Sequence, residues 1–200
     1  MAANDTIKVW DPLVRLFHWS LVVSFFITYL SGDEWESLHV TAGYVVAGLV
    51  AFRVVWGVVG TRHARFSDFV FSPATVLAYL KALAAGRAKR YLGHNPAGGW
   101  MVVALLLSLG LTALTGMLAH GTFTVAFNLI SPAMAHDDEE GDEGDELFEE
   151  LHEFFANFTL LLVAVHVAGV LISSVLHREN LVRAMITGRK PRDPGNDHAG

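Results

Sequence analysis

Four long apolar blocks, free or nearly free of charged residues, set the pattern along this chain. They occupy residues 16–32, 37–60, 100–119 and 154–176. Each block is long enough to cross a hydrocarbon layer of roughly 30 Å, which takes about 20 helical residues. Helices are expected because every backbone N–H and C=O must find its partner within the span. The pattern predicts an all-α membrane protein, a single bundle domain over residues 1–190 with four transmembrane helices at about 12–31, 38–59, 99–119 and 150–176.

Two connecting segments carry helix and loop signals. Ser72-Pro73 favours a helix start, which predicts a short amphipathic helix to about Ala85 on the cytoplasmic surface, between spans two and three. Residues 121–135 are uncharged but contain Gly121, Asn128 and Pro132. These breakers favour an interfacial loop over a fifth span.

Two further segments are polar. Residues 136–150 are strongly acidic, which predicts a solvated periplasmic loop. A metal site built from His136, His152 and the carboxylates is the alternative there. Residues 191–200 are rich in polar residues, Gly and Pro, which predicts a disordered tail.

Basic residues indicate the side on which each connection lies. All 14 Lys and Arg residues lie near the N-terminus, within or after the second span, or after the fourth. Because Lys and Arg accumulate in cytoplasmic segments and acidic residues have little effect on topology, both termini are predicted in the cytoplasm. The net charge of −6 then divides into an acidic outer face and a basic inner one.

Candidate chemistry rests on histidine. The chain has no cysteine, which excludes disulfides, iron–sulfur clusters and covalently attached c-type haem. A charged side chain inside a span costs roughly 2.5–3.5 kcal/mol, so each ionisable one is a functional candidate. Four histidines lie within or at the ends of the spans: His18, His39, His152 and His166.

The depths of these histidines predict two pairs. His166 follows His152 by 14 residues, which brings it back to within about 40° of the same helix face, ~21 Å further along the axis. His39 begins the second span on the outer side, and His18 lies in the inner half of the first. Depth therefore pairs His39 with His152 near the outer leaflet, and His18 with His166 near the inner one.

Haem is the group that such pairs suit. A haem between two helices needs a histidine on each side of the iron and small or apolar neighbours, and Gly43 and Ala156 supply small residues on the histidine faces. Arg53 also lies 14 residues from its histidine, His39, at the level of the inner pair. There it is predicted to pair with a haem propionate. Hydrogen-bonded or interfacial roles are the alternative for histidines near span ends.

The other histidines in the helical part of the chain lie at or beyond the span ends. They are His63, His94, His120 and His177. None is predicted as a ligand, and His94 and His120 are the first substitutes if a pair is wrong.

Three stretches of sequence carry a family resemblance: Leu16-Phe17-His18-Trp19, Leu38-His39-Val40-Thr41-Ala42-Gly43, and the run from Leu151-His152-Glu153 to Val165-His166-Val167-Ala168-Gly169. Together they resemble the bacterial cytochrome b561 family, which is related to the membrane cytochrome b subunits of nickel–iron hydrogenases and formate dehydrogenase. The resemblance covers about residues 7–190. The acidic segment and the glycine-rich residues around His94 depart from the simpler members.

The resemblance implies a four-helix bundle in the bacterial inner membrane with two non-covalent haem b groups, bound by His18/His166 and His39/His152. Bis-histidine ligation fills both axial positions, so one-electron transfer is the expected function. The expected partners are membrane lipid, quinone or quinol of a respiratory chain, and a periplasmic cytochrome or oxidoreductase subunit, with no nucleic acid.

Three other functions are alternatives. A superoxide:quinone oxidoreductase is known in the family, but an anionic substrate needs a positive approach and the outer face is acidic. A cytochrome b anchor subunit of a hydrogenase or dehydrogenase complex is the second. A non-redox membrane anchor or metal transporter that uses the histidines is the third.

Overall fold

The protein is described by a computed structural model over residues 6–32, 34–121 and 141–192, with the backbone alone for 141–145. Within those residues the helices are α1 (Pro12–Ser31), α2 (Glu36–Val59), α3 (Phe66–Phe69), α4 (Pro73–Ala84), α5 (Pro96–Ala119), α6 (Gly141–Leu176) and α7 (Leu181–Thr187). A 3-10 turn at Arg62–Ala64 follows α2. Two short strands, β1 (Thr6–Lys8) and β2 (Arg189–Pro191), pair in antiparallel fashion.

The four long helices α1, α2, α5 and α6 are each long and apolar enough to cross a membrane. They confirm the predicted all-α architecture with four spans, and α4 is the short helix predicted between spans two and three. Much of their outer surface is apolar and exposed, with Leu30 at 77% and Val175 at 79% exposure. Such surface suits contact with lipid chains, so the chain is a multi-pass membrane protein.

Local sequence explains where α1, α4 and α5 begin. The Asp11 carboxylate accepts a hydrogen bond from the Val14 N–H at 2.9 Å, and the Asn95 side chain accepts one from the Gly98 N–H at 2.7 Å. Ser72 caps α4 in the same manner, and a proline follows each of the three capping residues. The cap satisfies one free N–H group and the proline presets the first helical φ angle.

The long helices pack in chain order, with α1 on α2, α2 on α5 and α5 on α6. Polar contacts add to this packing. Among them, the Ser108 and Thr159 hydroxyls lie 2.6 Å apart between α5 and α6, and Tyr29 on α1 donates to Asn157 on α6 at 2.8 Å. The second contact joins the first and last spans. The buried apolar core between the helices consists of Phe17, Phe25, Val46, Val50, Leu106 and Leu109.

The acidic segment departs from prediction. Composition predicts a loop over residues 136–150, but residues 141–150 are helical and form the first turns of α6. Glu is a good helix former, and acidic residues near a helix N-terminus interact favourably with the helix dipole. Likewise, Pro191 pairs with Thr6 and is not part of an unstructured tail. Residues 1–5, 33, 122–140 and 193–200 lie outside the described part of the chain. They include nearly all of the predicted interfacial loop and most of the predicted tail.

The two ends of the bundle differ in charge. We name the basic end as the one where α1 and α5 begin and α2 and α6 end, and the acidic end as the opposite one. A buried ion cluster covers the basic end: Glu179 accepts from Arg90 Nη2 at 3.0 Å and from Lys190 Nζ at 3.3 Å, with these side chains only 4–6% exposed. Burial lowers the pKa of Lys190, and the Glu179 carboxylate opposes that shift. The Arg90–Glu179–Lys190 cluster thus ties the segment before α5 to the C-terminal strand.

Replacing Glu179 by Gln should destabilise the basic end, because the buried charges of Arg90 and Lys190 would lose the carboxylate that they share. Breaking a buried ion pair by removing one partner costs about 3–5 kcal/mol. We expect a lower midpoint of thermal unfolding, measured by circular dichroism in detergent micelles. Glu34 is exposed, so E34Q is the matched control and should leave the midpoint unchanged. Equal midpoints for E179Q and the parent protein would contradict a stabilising role for the cluster.

Candidate haem-binding site

His39 and His152 meet near the acidic end of the bundle. Their ring centroids lie 5.8 Å apart, with an angle of 75° between the ring planes. Nδ1 of His39 lies 2.9 Å from the carbonyl oxygen of Thr28, and Nδ1 of His152 lies 2.8 Å from that of Thr112. The two histidines belong to α2 and α6 and the two carbonyls to α1 and α5, so all four long helices position this pair.

These hydrogen bonds fix the tautomer of both rings. A carbonyl oxygen can only accept, so Nδ1 carries the proton and donates in His39 and in His152. The lone pair of each neutral ring is then on Nε2. Histidines that ligate metals commonly donate their other ring N–H to a carbonyl or carboxylate in this way. Both Nε2 atoms are therefore chemically suited to bind iron.

An apolar cavity adjoins this pair between the long helices. It has a volume of about 100 Å³ and is partly open to the surroundings. Gly43 and Ala156 line it, as the small residues predicted on the histidine faces. Gly116 also lines it, and a Cβ atom there would lie 2.8 Å from the His152 ring. The other lining side chains include Phe25, Tyr44, Val46, Leu109 and Met117.

His18 and His166 lie nearer the basic end, on α1 and α6. The two half-buried side chains are close enough to interact electrostatically. Nδ1 of His18 is buried and has no hydrogen-bond partner among the described residues. Buried polar atoms normally have a partner. An orphaned nitrogen beside a second histidine indicates that this pair, too, is suited to a bound group.

Arg53 is buried on α2, at 3% exposure. The central carbon of its guanidinium lies 5.2 Å from the centre of the Phe66 ring and 5.7 Å from that of Phe69, within cation–π range. Nη1 of Arg53 is buried without a hydrogen-bond partner in the part of the chain that the structure describes. Because buried charges are normally paired, this open N–H group suits an anion.

His94, predicted only as a substitute ligand, lies in the same part of the bundle. Its ring centroid is 4.7 Å from that of Trp10 and 4.5 Å from that of Phe69. Burial, together with the positive charges of Arg53 and Lys190, lowers the pKa of His94 to about 3, so the ring is neutral at physiological pH. Its Nδ1 is buried and lacks a hydrogen-bond partner among residues 6–32, 34–121 and 141–192.

A sequence signal for the position of His94 does exist. It stands immediately before the Asn95-Pro96 helix start, so it lies at the same end of the bundle as Arg53. Its contacts with Trp10 and Phe69 join distant parts of the chain, and only the fold brings them together.

The remaining histidines take other positions. His120 follows α5, is exposed and lines the cavity at the acidic end, and His63 lies beside Gly93. His136, named above in the alternative metal site, lies outside the described residues. The described residues contain no group of three or more His, Asp or Glu side chains that could hold a metal ion. The donors fit haem well, because iron in a porphyrin needs only two protein ligands on opposite sides.

Comparisons with known proteins agree with this chemistry. The probable Ni/Fe-hydrogenase B-type cytochrome subunit of Cupriavidus necator is 26% identical over 94% of this chain and 89% of that protein. Proteins of the same name are 21% identical in Bradyrhizobium diazoefficiens, over 94% of this chain and 87% of the relative, and 23% identical in Rhizobium leguminosarum bv. viciae, over 94% and 90%. No solved structure gives a significant match.

The chain also matches the sequence pattern of a protein family over nearly all of the described fold. The prokaryotic cytochrome b561 family matches residues 9–188, a range that contains the four spans, the two histidine pairs and Arg53. The chain therefore belongs to the prokaryotic cytochrome b561 family.

Proposed function

We propose that this chain is a di-haem b-type cytochrome that carries electrons across the bacterial inner membrane. The observation that carries the proposal is the presence of two histidine pairs at two depths, with α6 contributing one histidine to each. The 14 residues between His152 and His166 place the two sites ~21 Å apart along the helix axis. This separation is a large part of a hydrocarbon layer of roughly 30 Å.

In this proposal His39 and His152 bind one haem b through Nε2, and His18 with His166 bind the second. The Thr28 and Thr112 carbonyls hold the first two rings in orientation. A haem held by two histidines would supply reversible one-electron chemistry. The buried Arg53 guanidinium pairs with a propionate of the haem at the basic end, where it offsets charge that would otherwise be buried alone.

The partners of the two ends follow from the relatives and from the charge pattern. Three relatives are named as cytochrome subunits of Ni/Fe-hydrogenase, which supports an oxidoreductase subunit of hydrogenase type as the redox partner of this chain. We place both termini and the basic end in the cytoplasm, because Lys and Arg accumulate there. Quinone or quinol of the membrane pool exchanges electrons with one haem, and the partner exchanges them with the other.

The acidic end bears on the choice among alternatives. Its exposed carboxylates include Glu34, Glu36, Glu146, Glu149 and Glu150. They favour the approach of a basic protein surface. They disfavour superoxide as a substrate at that end, because like charges repel. The anchor-subunit alternative differs from the main proposal only in that the partner stays bound.

Haem stoichiometry tests the ligand pairs. We expect about two haems per chain in the parent protein and one in each of the variants His152→Ala and His166→Ala, since each variant removes one ligand of one site. The α bands of the dithionite-reduced variants should differ, because different haems remain. The pyridine haemochrome assay against protein concentration gives the measurement.

The matched control is His120→Ala, because His120 lines the cavity at the acidic end without being a predicted ligand. It should retain both haems. Retention of both haems by either ligand variant would refute that pair, and a colourless parent protein from haem-sufficient cells would refute the whole proposal.

Quinol should reduce the haems of the purified protein. We expect decyl-ubiquinol or a menaquinol analogue to reduce the haems in detergent micelles within the time needed to mix the sample by hand. The reason is that a quinone site lies at one haem edge in this proposal. The absorbance of the α band relative to the dithionite-reduced level gives the fraction reduced. No reduction by either quinol at any ratio, with full reduction by dithionite, would exclude the quinone pool as a direct electron donor.

A further inference from the structure

The proposed function assigns no role to the buried Nδ1 atom of His94 at the basic end. We propose that His94 donates a hydrogen bond from Nδ1 to a carboxylate of the haem at this end, beside Arg53, and thereby raises the reduction potential of that haem. The inference rests on the proposed function. In it, His94 binds a carboxylate at the edge of the haem and does not bind the iron.

The first support is the orphaned nitrogen itself. Nδ1 of His94 is shielded from solvent, and none of the described residues accepts a hydrogen bond from it or donates one to it. The ring is held between Trp10 at 4.7 Å and Phe69 at 4.5 Å, measured between centroids. A buried polar atom without a hydrogen-bond partner destabilises the protein. A group that accepts this hydrogen bond is therefore expected in the complete protein.

The second support is a neighbouring cationic group that is also buried without a hydrogen-bond partner. Arg53 lies close enough to His94 to interact electrostatically, and its Nη1 also has no partner within the described part of the chain. Phe69 touches both side chains, at 5.7 Å from the guanidinium carbon and 4.5 Å from the imidazole. Two buried donors that share one aromatic neighbour match the two oxygens of a carboxylate.

The third support is the sign of the surrounding charge. The charged or titratable groups that act on His94 are Arg53, Lys190, His166 and His63, and Lys190 is already paired with Glu179. No carboxylate is among these groups in the described residues. The Asp11 carboxylate acts on Arg53 but not on His94, so an anion beside His94 would complete this set of charges. A haem held by His166 would bring its own carboxylates to this level.

Redox titration of the holoprotein tests the proposal. His94→Leu removes the donor and keeps an apolar side chain, and we expect the midpoint potential of the basic-end haem to fall, because a carboxylate without its donor stabilises the ferric state. His94→Asn places an amide N–H near the position of Nδ1, and it should restore the parent potential. His166→Ala, which keeps only the other haem, assigns the two potentials. His177→Leu, at the same end but not among the groups that act on His94, is the matched control.

The outcomes separate this inference from the proposed function. A lower potential of one haem in H94L, with the parent value in H94N and in H177L, supports the hydrogen bond. Unchanged potentials in H94L overturn it, and so does an equal shift in H94L and H94N, which would indicate packing. Loss of one haem in both H94 variants also overturns it, because His94 would then be a ligand.

If H94L does not accumulate, H94Q replaces it as the test variant. The amide of Gln falls near the position of Nε2 and not of Nδ1, so H94Q should show the same fall in potential. A parent protein without two haems refutes the proposed function whatever His94 does.

Discussion

Inside a bilayer no water is available to satisfy a polar side chain, so every imidazole and guanidinium on the spans needs a partner in the protein or in a bound group. His39 and His152 obey this constraint in an informative way. Their Nδ1 atoms donate to the carbonyls of Thr28 and Thr112, which leaves the lone pair of each Nε2 atom available to bind a group. His18 and Arg53 obey it less completely, because the described residues give no partner to His18 Nδ1 or Arg53 Nη1.

The polar side chains at the two ends of the bundle have different surroundings. At the acidic end the cavity beside His152 is partly open and apolar. At the basic end the β1–β2 pair, α7 and the Arg90–Glu179–Lys190 cluster cover the bundle. Exclusion of water strengthens every electrostatic interaction beneath that cover. The two proposed haems would therefore lie in unlike surroundings, which is the physical basis for two different reduction potentials on one chain.

Much of this arrangement could be predicted from sequence, because its signals are local. Charge-free length gives the spans, capping residues such as Asp11 and Asn95 give their starts, and the spacing of His152 and His166 places them on one face. The helical form of residues 141–150 was missed, because an acidic composition resembles that of a solvated loop. Contacts between residues far apart in the sequence cannot be predicted from local signals. Arg90 binds Glu179 across 89 positions, and His94 packs against Trp10 only once the chain has folded.

The central claim is that two iron atoms are each held by two histidines within this bundle. Electron paramagnetic resonance of the oxidised, purified protein tests it most directly, because bis-histidine ferric haem is low-spin. We expect two low-spin ferric signals of equal integrated intensity, together equal to twice the protein concentration, and no high-spin signal. A dominant high-spin ferric signal, or a single low-spin species at one per chain, would contradict it.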